Sequence, residues 1–120
     1  MRSVLLIVLG FLLFCSADPA RAEKRVALVI GVSAYQAVPQ LPNPGRDAEA
    51  MVALFKKAGF DVVISKRDLG VAELRRSIRE FSESSRDADI SVVYYAGHGI
   101  EVDGINYLVP ADAKLASDFD

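Results

Sequence analysis

Residues 90–99 read ISVVYYAGHG, and this stretch decides the fold of the chain. Ile90 to Ala96 form an apolar run rich in β-branched and aromatic residues, which is typical of a short strand buried inside a sheet. The run leads directly into Gly97-His98-Gly99, so the only histidine of the sequence stands at the end of a strand between two glycines. In that position its ring is free to meet a ligand, which suits proton transfer.

Two further strands and a hairpin are predicted on either side of this run. Arg25 to Gly31 is a second apolar, β-branched stretch, and Phe60 to Ile64 is a third. Further along, Ile100 to Val102 and Ile105 to Val109 are typical of a small hairpin whose two-residue turn is Asp103-Gly104.

Two amphipathic helices separate the three strands. The first helix is predicted to begin at Pro44, with Asn43 as its cap, and to end at Gly59. The buried stripe of the second helix is predicted from apolar residues at helical spacing, namely Val71, Leu74, Ile78 and Phe81.

This alternation of strands and helices predicts an α/β fold with a mainly parallel sheet and right-handed crossovers. Two helices can cover both faces of a three-stranded sheet only if the strand order reverses, so we expect the order 2-1-3. In such sheets, ligands bind beyond the carboxyl ends of the strands, close to the point of reversal. The loops after the first and third strands meet there, and they carry Asp47 and His98. Tyr94 and Tyr95 face opposite sides of the sheet, so at most one of them reaches this edge.

The beginning of the sequence is typical of an export signal. Arg2 supplies a positive charge, Val4 to Phe14 an apolar run, and Ala20-Arg21-Ala22 a cleavage site. We therefore expect residues 1–22 to be a signal peptide, residues 23–120 to be one domain, and the mature protein to be secreted or periplasmic. Membrane association is expected only if the signal stays uncleaved as an anchor.

Composition excludes several classes of function. The net charge of −2 at pH 7 offers no basic stripe for nucleic acid. The single cysteine, Cys15, falls in the expected signal, so residues 23–120 have neither a disulfide nor a thiolate ligand. One histidine without a cysteine does not support a metal site, and the sequence lacks the G-x-G-x-x-G pattern of a dinucleotide site. We therefore expect no cofactor and no metal.

Three residues are candidates for a functional site, and each has a structural alternative. His98 is interpreted as a proton-transfer group, the alternative being a buried structural histidine. Gly99 can serve a tight turn, but its backbone amide also faces the region where a developing oxyanion would sit. Asp47 is a candidate for binding a basic side chain, although the helix macrodipole favours an acid in the first turn by about 0.3–1 kcal/mol whatever its function. Asp112 is interpreted as a solvated loop residue.

Five segments spread along the domain carry a family resemblance: Arg25 to Gly31, Leu41 with Asp47-Ala48, Ala58-Gly59-Phe60, Tyr94 to Gly99, and Asp103 to Asp112. Together they resemble the caspase-like cysteine peptidases, most closely the bacterial, metacaspase-related branch. The resemblance implies a three-layer α/β/α sandwich, present here in part, that cuts peptide bonds of peptide or protein substrates through a Cys–His dyad. It implies that His98 is the dyad histidine, which protonates the departing amine after a thiolate has attacked. It also implies that Gly99 supplies an amide of the oxyanion hole and that Asp47 is a pocket acid selecting Arg or Lys.

The expected nucleophile is missing from this pattern. In caspases the cysteine follows the histidine by roughly 50 residues, and this sequence ends at residue 120. We therefore expect the amino-terminal part of an exported caspase-like endopeptidase, which has the dyad histidine without the cysteine and which a complementing carboxyl-terminal chain could complete. The alternative is a non-catalytic module that binds peptides or a partner. The order 2-1-3 favours the first hypothesis, because it leaves Ile90 to Ala96 at an unprotected sheet edge.

Overall fold

The computed structural model of the protein describes residues 22–114. The expected export signal, including Cys15, lies outside the described residues apart from Ala22. The elements in chain order are β1 (Arg25–Gly31), α1 (Pro44–Lys57), β2 (Val62–Arg67), α2 (Val71–Ser84), β3 (Ile90–Ala96), β4 (Gly99–Val102) and β5 (Ile105–Leu108). Between residues 22 and 114, no helix is both long and apolar enough to cross a bilayer.

The three long strands form one parallel sheet in the order β2-β1-β3, and this confirms the predicted order 2-1-3. The central strand β1 is apolar without interruption because both of its faces are covered, and Val26 to Ile30 are completely buried. Its register places Ile30 between Lys66 of β2 and Tyr95 of β3. Beyond the strand, the Val32 amide still donates to the Ala96 carbonyl at 2.8 Å, so the chain leaves β1 alongside β3.

The helices lie on opposite faces of this sheet. Ala27 and Val29 of β1 pack with Ala48 and Phe55 of α1. The alternate residues of the same strand face the other way and pack with α2, in a core that contains Val26, Leu28, Ile30, Leu74 and Phe81. This arrangement is the three-layer α/β/α architecture expected from the sequence, here with three parallel strands in the middle layer.

The second strand begins and ends later than predicted. Gly59 has φ +79°, which turns the chain at the end of α1. Phe60 then folds back on the helix, with its ring centroid 4.8 Å from that of Phe55. β2 starts only at Val62, and it continues through polar residues to Arg67 because it is the outer strand of the described sheet and its side chains are partly exposed.

The helix predictions need two corrections. Asn43 makes no side-chain capping bond, since its backbone is already helical (φ −97°, ψ −32°) and its carbonyl accepts the Asp47 amide at 3.0 Å. The buried stripe of α2 consists of Leu74, Ser77 and Phe81. Val71 and Ile78, which were predicted to be buried, are 42% and 44% exposed. The reason is that the face of α2 turned towards the sheet is the one that carries Ser77 between Leu74 and Phe81.

The small antiparallel hairpin forms with the predicted turn, and each strand differs from the prediction by one residue at its outer end. β4 begins at Gly99 instead of Ile100, and β5 ends at Leu108 instead of Val109. The two turn residues, Asp103 and Gly104, have φ values of 51° and 77°. Positive φ at both central residues is the signature of the tight turn that matches the twist of paired strands.

Candidate active site

The candidate site lies at the carboxyl ends of β1 and β3. His98 follows β3 and is half-buried, while Tyr35 lies in the loop that follows β1 and is almost completely buried. The two aromatic rings pack against each other, with centroids 4.6 Å apart and planes tilted by 53°. Loops that follow neighbouring parallel strands thus meet at one edge, as the sheet order predicts.

One hydrogen bond defines the chemistry of the His98 ring. Its Nε2 atom lies 2.8 Å from the backbone carbonyl oxygen of Pro39. A carbonyl can only accept a hydrogen bond, so Nε2 carries the proton in the neutral ring and Nδ1 is the basic nitrogen. The ring is therefore held in one orientation with a defined nitrogen available to take up a proton.

The backbone of His98 is held as firmly as its ring. The His98 amide donates to the Tyr35 hydroxyl at 2.6 Å. The His98 carbonyl accepts from the Val109 amide at 3.0 Å and from the Tyr95 hydroxyl, also at 3.0 Å. The Tyr95 hydroxyl lies 2.9 Å from the Val109 carbonyl and 3.2 Å from the Tyr35 hydroxyl. Burial raises the pKa of Tyr95, so this phenol stays protonated and can donate at neutral pH.

Position 97 has no room for a side chain, which explains the glycine found there. A Cβ atom at this position would stand 2.6 Å from the hydroxyl oxygens of both Tyr35 and Tyr95. The sequence suggests only a tight turn here, whereas the structure shows that two phenol groups occupy the space a side chain would need.

The Gly99 amide is turned away from the hairpin partner. Gly99 is paired with Leu108, and the flanking bond runs from the Val109 amide to the His98 carbonyl. In an antiparallel ladder this pattern makes Gly99–Leu108 a non-hydrogen-bonded pair, so the Gly99 N–H points away from β5. The amide therefore remains available to an acceptor outside the hairpin.

Asp47 lies in the first turn of α1, at the same edge of the sheet as His98, and its side chain is exposed. Its turn is held by other residues: the Gly45 amide donates to Ser33 Oγ at 3.1 Å, and Arg67 donates to the Gly45 carbonyl at 3.2 Å. Arg67 also forms an ion pair with Glu49. Asp47 takes part in none of the ion pairs among residues 22–114, so no described basic side chain neutralises it.

Sequence reasoning missed Tyr35 and Pro39, because they lie in an irregular loop and contact His98 only through the fold. Tyr35 is the one aromatic residue of the loop after β1, and this is the signal that could have indicated it. Asp112 is an exposed residue of a turn, in agreement with its interpretation as a solvated loop residue, but it has a structural role that the sequence did not indicate. Its carboxylate accepts a hydrogen bond from the Val71 amide at 2.9 Å and so caps α2.

Across the described part of the chain, no three acidic, histidine or cysteine side chains gather in a way that could hold a metal ion.

Comparison with known proteins identifies the family to which the chain belongs. The family model described as "Caspase domain" matches residues 24–120. The chain is a member of the caspase-domain family, which confirms the resemblance to caspase-like peptidases.

Two curated relatives are human and mouse proteins. The chain is 36% identical over 98 residues to mucosa-associated lymphoid tissue lymphoma translocation protein 1 of Homo sapiens, an alignment that covers 82% of this chain and 12% of that protein. It is also 36% identical over 92 residues to the homolog of that protein in Mus musculus, covering 77% of this chain and 11% of the relative. The chain thus spans only a small part of the length of the curated relatives it matches.

Proposed function

We propose that residues 23–120 form the histidine-bearing part of an exported caspase-like cysteine endopeptidase that cleaves after Arg or Lys. The observation that carries this proposal is the 2.8 Å hydrogen bond between His98 Nε2 and the Pro39 carbonyl. It leaves Nδ1 as the basic nitrogen at the sheet edge, which is what a general base beside a thiol requires.

In the proposed mechanism, His98 Nδ1 takes the proton of a cysteine thiol, and the thiolate attacks the scissile carbonyl. The carbonyl oxygen becomes an oxyanion, for which the outward Gly99 amide is a suitable donor. His98 then returns the proton to the departing amine, and hydrolysis of the acyl-enzyme by water frees the thiol. The carbonyl of Pro39 supports the positive charge that the imidazole carries between these two transfers.

The thiol has to come from polypeptide other than residues 23–120, which contain no cysteine. The outer edge of β3 is a suitable place for such a segment. Among the described strands β3 pairs with β1 alone, and Val93 on this strand is 51% exposed. A further parallel strand beside β3 would end next to His98, because neighbouring parallel strands share their carboxyl edge.

Asp47 is the proposed determinant of specificity. Its exposed carboxylate lies at the same edge as His98 and is free of the ion pairs seen among the described residues. An unneutralised carboxylate attracts the guanidinium or ammonium group of a substrate Arg or Lys.

Export is proposed from the leader-like first residues alone. Amino-terminal sequencing of the secreted protein tests it, with Glu23 as the expected first residue.

The second candidate function is a non-catalytic module that binds a peptide or a partner. The observation in its favour is the apolar hairpin, on which Val102 and Ile105 are 51% and 56% exposed. Exposed apolar surface of this kind is typical of interaction sites.

A complementation assay separates the two functions. The full chain is expressed alone and together with the polypeptide encoded directly downstream of it, and both preparations are tested on reporter peptides carrying Arg, Lys or Asp before the scissile bond. We expect turnover of the Arg and Lys peptides by the pair only. His98→Ala is expected to lower that turnover by about 10²–10⁴-fold.

Asp47→Asn is expected to reduce cleavage after Arg and Lys selectively. Asp87→Asn, which removes an exposed carboxylate just before β3, at the opposite end of that strand from His98, is its control. Turnover by the chain alone, or turnover by the pair that survives His98→Ala, would contradict the proposed mechanism. Peptide binding without any turnover would favour the non-catalytic module.

A further inference from the structure

We propose that Tyr35 and Tyr95 are positioning residues that hold both peptide groups of His98, and thereby set the imidazole and the Gly99 amide together. The significance of this role for catalysis rests on the function proposed above. The positioning itself follows from the contacts among the described residues.

The hydroxyl groups admit one consistent order of donors and acceptors. The His98 amide can only donate, and it donates to the Tyr35 oxygen at 2.6 Å. The carbonyls beside the Tyr95 hydroxyl, those of His98 and Val109, can only accept. Tyr95 therefore shares its single hydroxyl proton between these two carbonyls, and Tyr35 gives its own proton to the Tyr95 oxygen at 3.2 Å. The result is a chain of hydrogen bonds that begins and ends on the backbone of His98, in which each bond polarises the next.

This chain also orients the Gly99 amide. In a trans peptide the N–H of one residue points opposite to the C=O of the residue before it. Tyr95 and Val109 fix the direction of the His98 carbonyl, so they also fix the direction of the Gly99 N–H. The two groups proposed for proton transfer and oxyanion binding are thus set by the same pair of phenols.

The packing leaves this pair little freedom. Tyr35 is 3% exposed, and its ring lies against the His98 ring. At Gly97 even a methyl group would meet both hydroxyl oxygens at 2.6 Å. Removing one hydroxyl deprives the His98 backbone of a partner without removing the aromatic ring that packs beside it.

The test uses nuclear magnetic resonance of the isotopically labelled full chain, in which His98 gives the only imidazole signals. The readouts are the exchange rate of the Nε2 proton, the tautomer of the ring and the exchange rate of the His98 backbone amide. In the unmodified chain we expect a slowly exchanging Nε2 proton. In Tyr35→Phe we expect exchange at the His98 amide to rise by about 3- to 10-fold, because this amide loses its hydrogen-bond acceptor. We expect exchange at Nε2 to rise as well, because the less restrained backbone weakens the bond from the ring to the Pro39 carbonyl.

Tyr94→Phe is the matched control, because Tyr94 packs with the α1 face of the sheet, away from this hydroxyl pair. We expect its spectra to match those of the unmodified chain. Tyr95→Phe is the second test variant, which decides the matter by the same readouts if Tyr35→Phe does not fold.

Unchanged exchange and tautomer in both Tyr35→Phe and Tyr95→Phe would overturn the inference. An equal response in Tyr94→Phe would also overturn it, because the effect would then be general loosening. The outcome is independent of the complementation assay: altered exchange in a chain that never yields a peptidase supports the positioning role and removes only the proposed function.

Discussion

A single hydrogen bond determines which nitrogen of the neutral His98 ring carries the proton. Either nitrogen of a neutral imidazole can carry the proton, and the partner of one nitrogen determines the role of the other. Here the Pro39 carbonyl holds Nε2 at 2.8 Å, so Nδ1 is the nitrogen with the free lone pair in the neutral ring. The hydroxyl groups of Tyr35 and Tyr95 hold the backbone of the same residue through hydrogen bonds, and the Tyr35 ring also packs against the imidazole.

The two glycines beside His98 provide a stability prediction, because they differ in the space around them. A Cβ at Gly97 would be 2.6 Å from two hydroxyl oxygens, whereas at Gly99 the nearest atom would be the Tyr107 carbonyl oxygen at 3.6 Å. We expect Gly97→Ala to lower the free energy of unfolding by about 1–3 kcal/mol through overpacking. Gly99→Ala, two positions away, is expected to change it by less than about 0.5 kcal/mol.

Urea denaturation of the full chain measures both values from the transition midpoint and slope. Equal losses of stability in the two variants would show that crowding by the phenols is not the reason for the glycine at position 97.

At the scale of elements, α2 depends on a residue far away in the sequence. Its amino-terminal cap position is Gly70, which has no side chain and makes no capping bond. Asp112 supplies the missing acceptor and a negative charge at the positive end of the helix. The same segment is tied to the loop after β1 by the bond from the Gln36 amide to the Ala111 carbonyl at 2.9 Å. The cap therefore fastens the chain that leaves the hairpin to the body of the domain.

Asp112 provides a second stability prediction. Asp112→Ala is expected to lower the free energy of unfolding by about 1 kcal/mol, because the Val71 amide loses its acceptor. Asp112→Asn is expected to cost less, since an amide oxygen can still accept that bond. Asp103→Asn in the hairpin turn is the control and is expected to be neutral, because asparagine tolerates the positive φ of 51° found there.

Thermal or urea unfolding of the full chain ranks these variants. If Asp112→Ala is as stable as Asp103→Asn, the cap makes no net contribution.

At the scale of the whole molecule, the sheet ends in two edges of different character. The β2 edge carries Lys66 and Arg67, which discourage further strand pairing. The β3 edge is apolar, and on the face that carries α2 its Val93 is 51% exposed. Among the described elements nothing pairs with this edge, so its backbone groups are open to another strand.

This asymmetry predicts how the chain behaves in solution when it is alone. We expect concentration-dependent self-association through the β3 edge, and we expect Val93→Lys to reduce it, because a charge on an edge strand opposes pairing. Val62→Lys on the β2 edge, where the side chain is 36% exposed, is the matched control and should leave the association unchanged. Sedimentation or light scattering over a range of concentrations measures the effect. A chain that stays monomeric throughout, or an equal effect of both variants, would contradict the prediction.

The sequence by itself determined the three-layer fold, the strand order and the position of His98 at the carboxyl edge of the sheet. These features follow from apolar runs, helical spacing and the handedness of crossovers, all of which are written in short windows of the chain. Only the tertiary structure decided which atoms hold His98, because its partners Pro39 and Tyr35 are 59 and 63 residues away in the sequence. The Asp112 cap was missed for the same reason, being 41 residues from Val71. Hydrogen bonds between distant loops depend on where a backbone carbonyl or a hydroxyl comes to lie after folding, and no local pattern of residue types records that position.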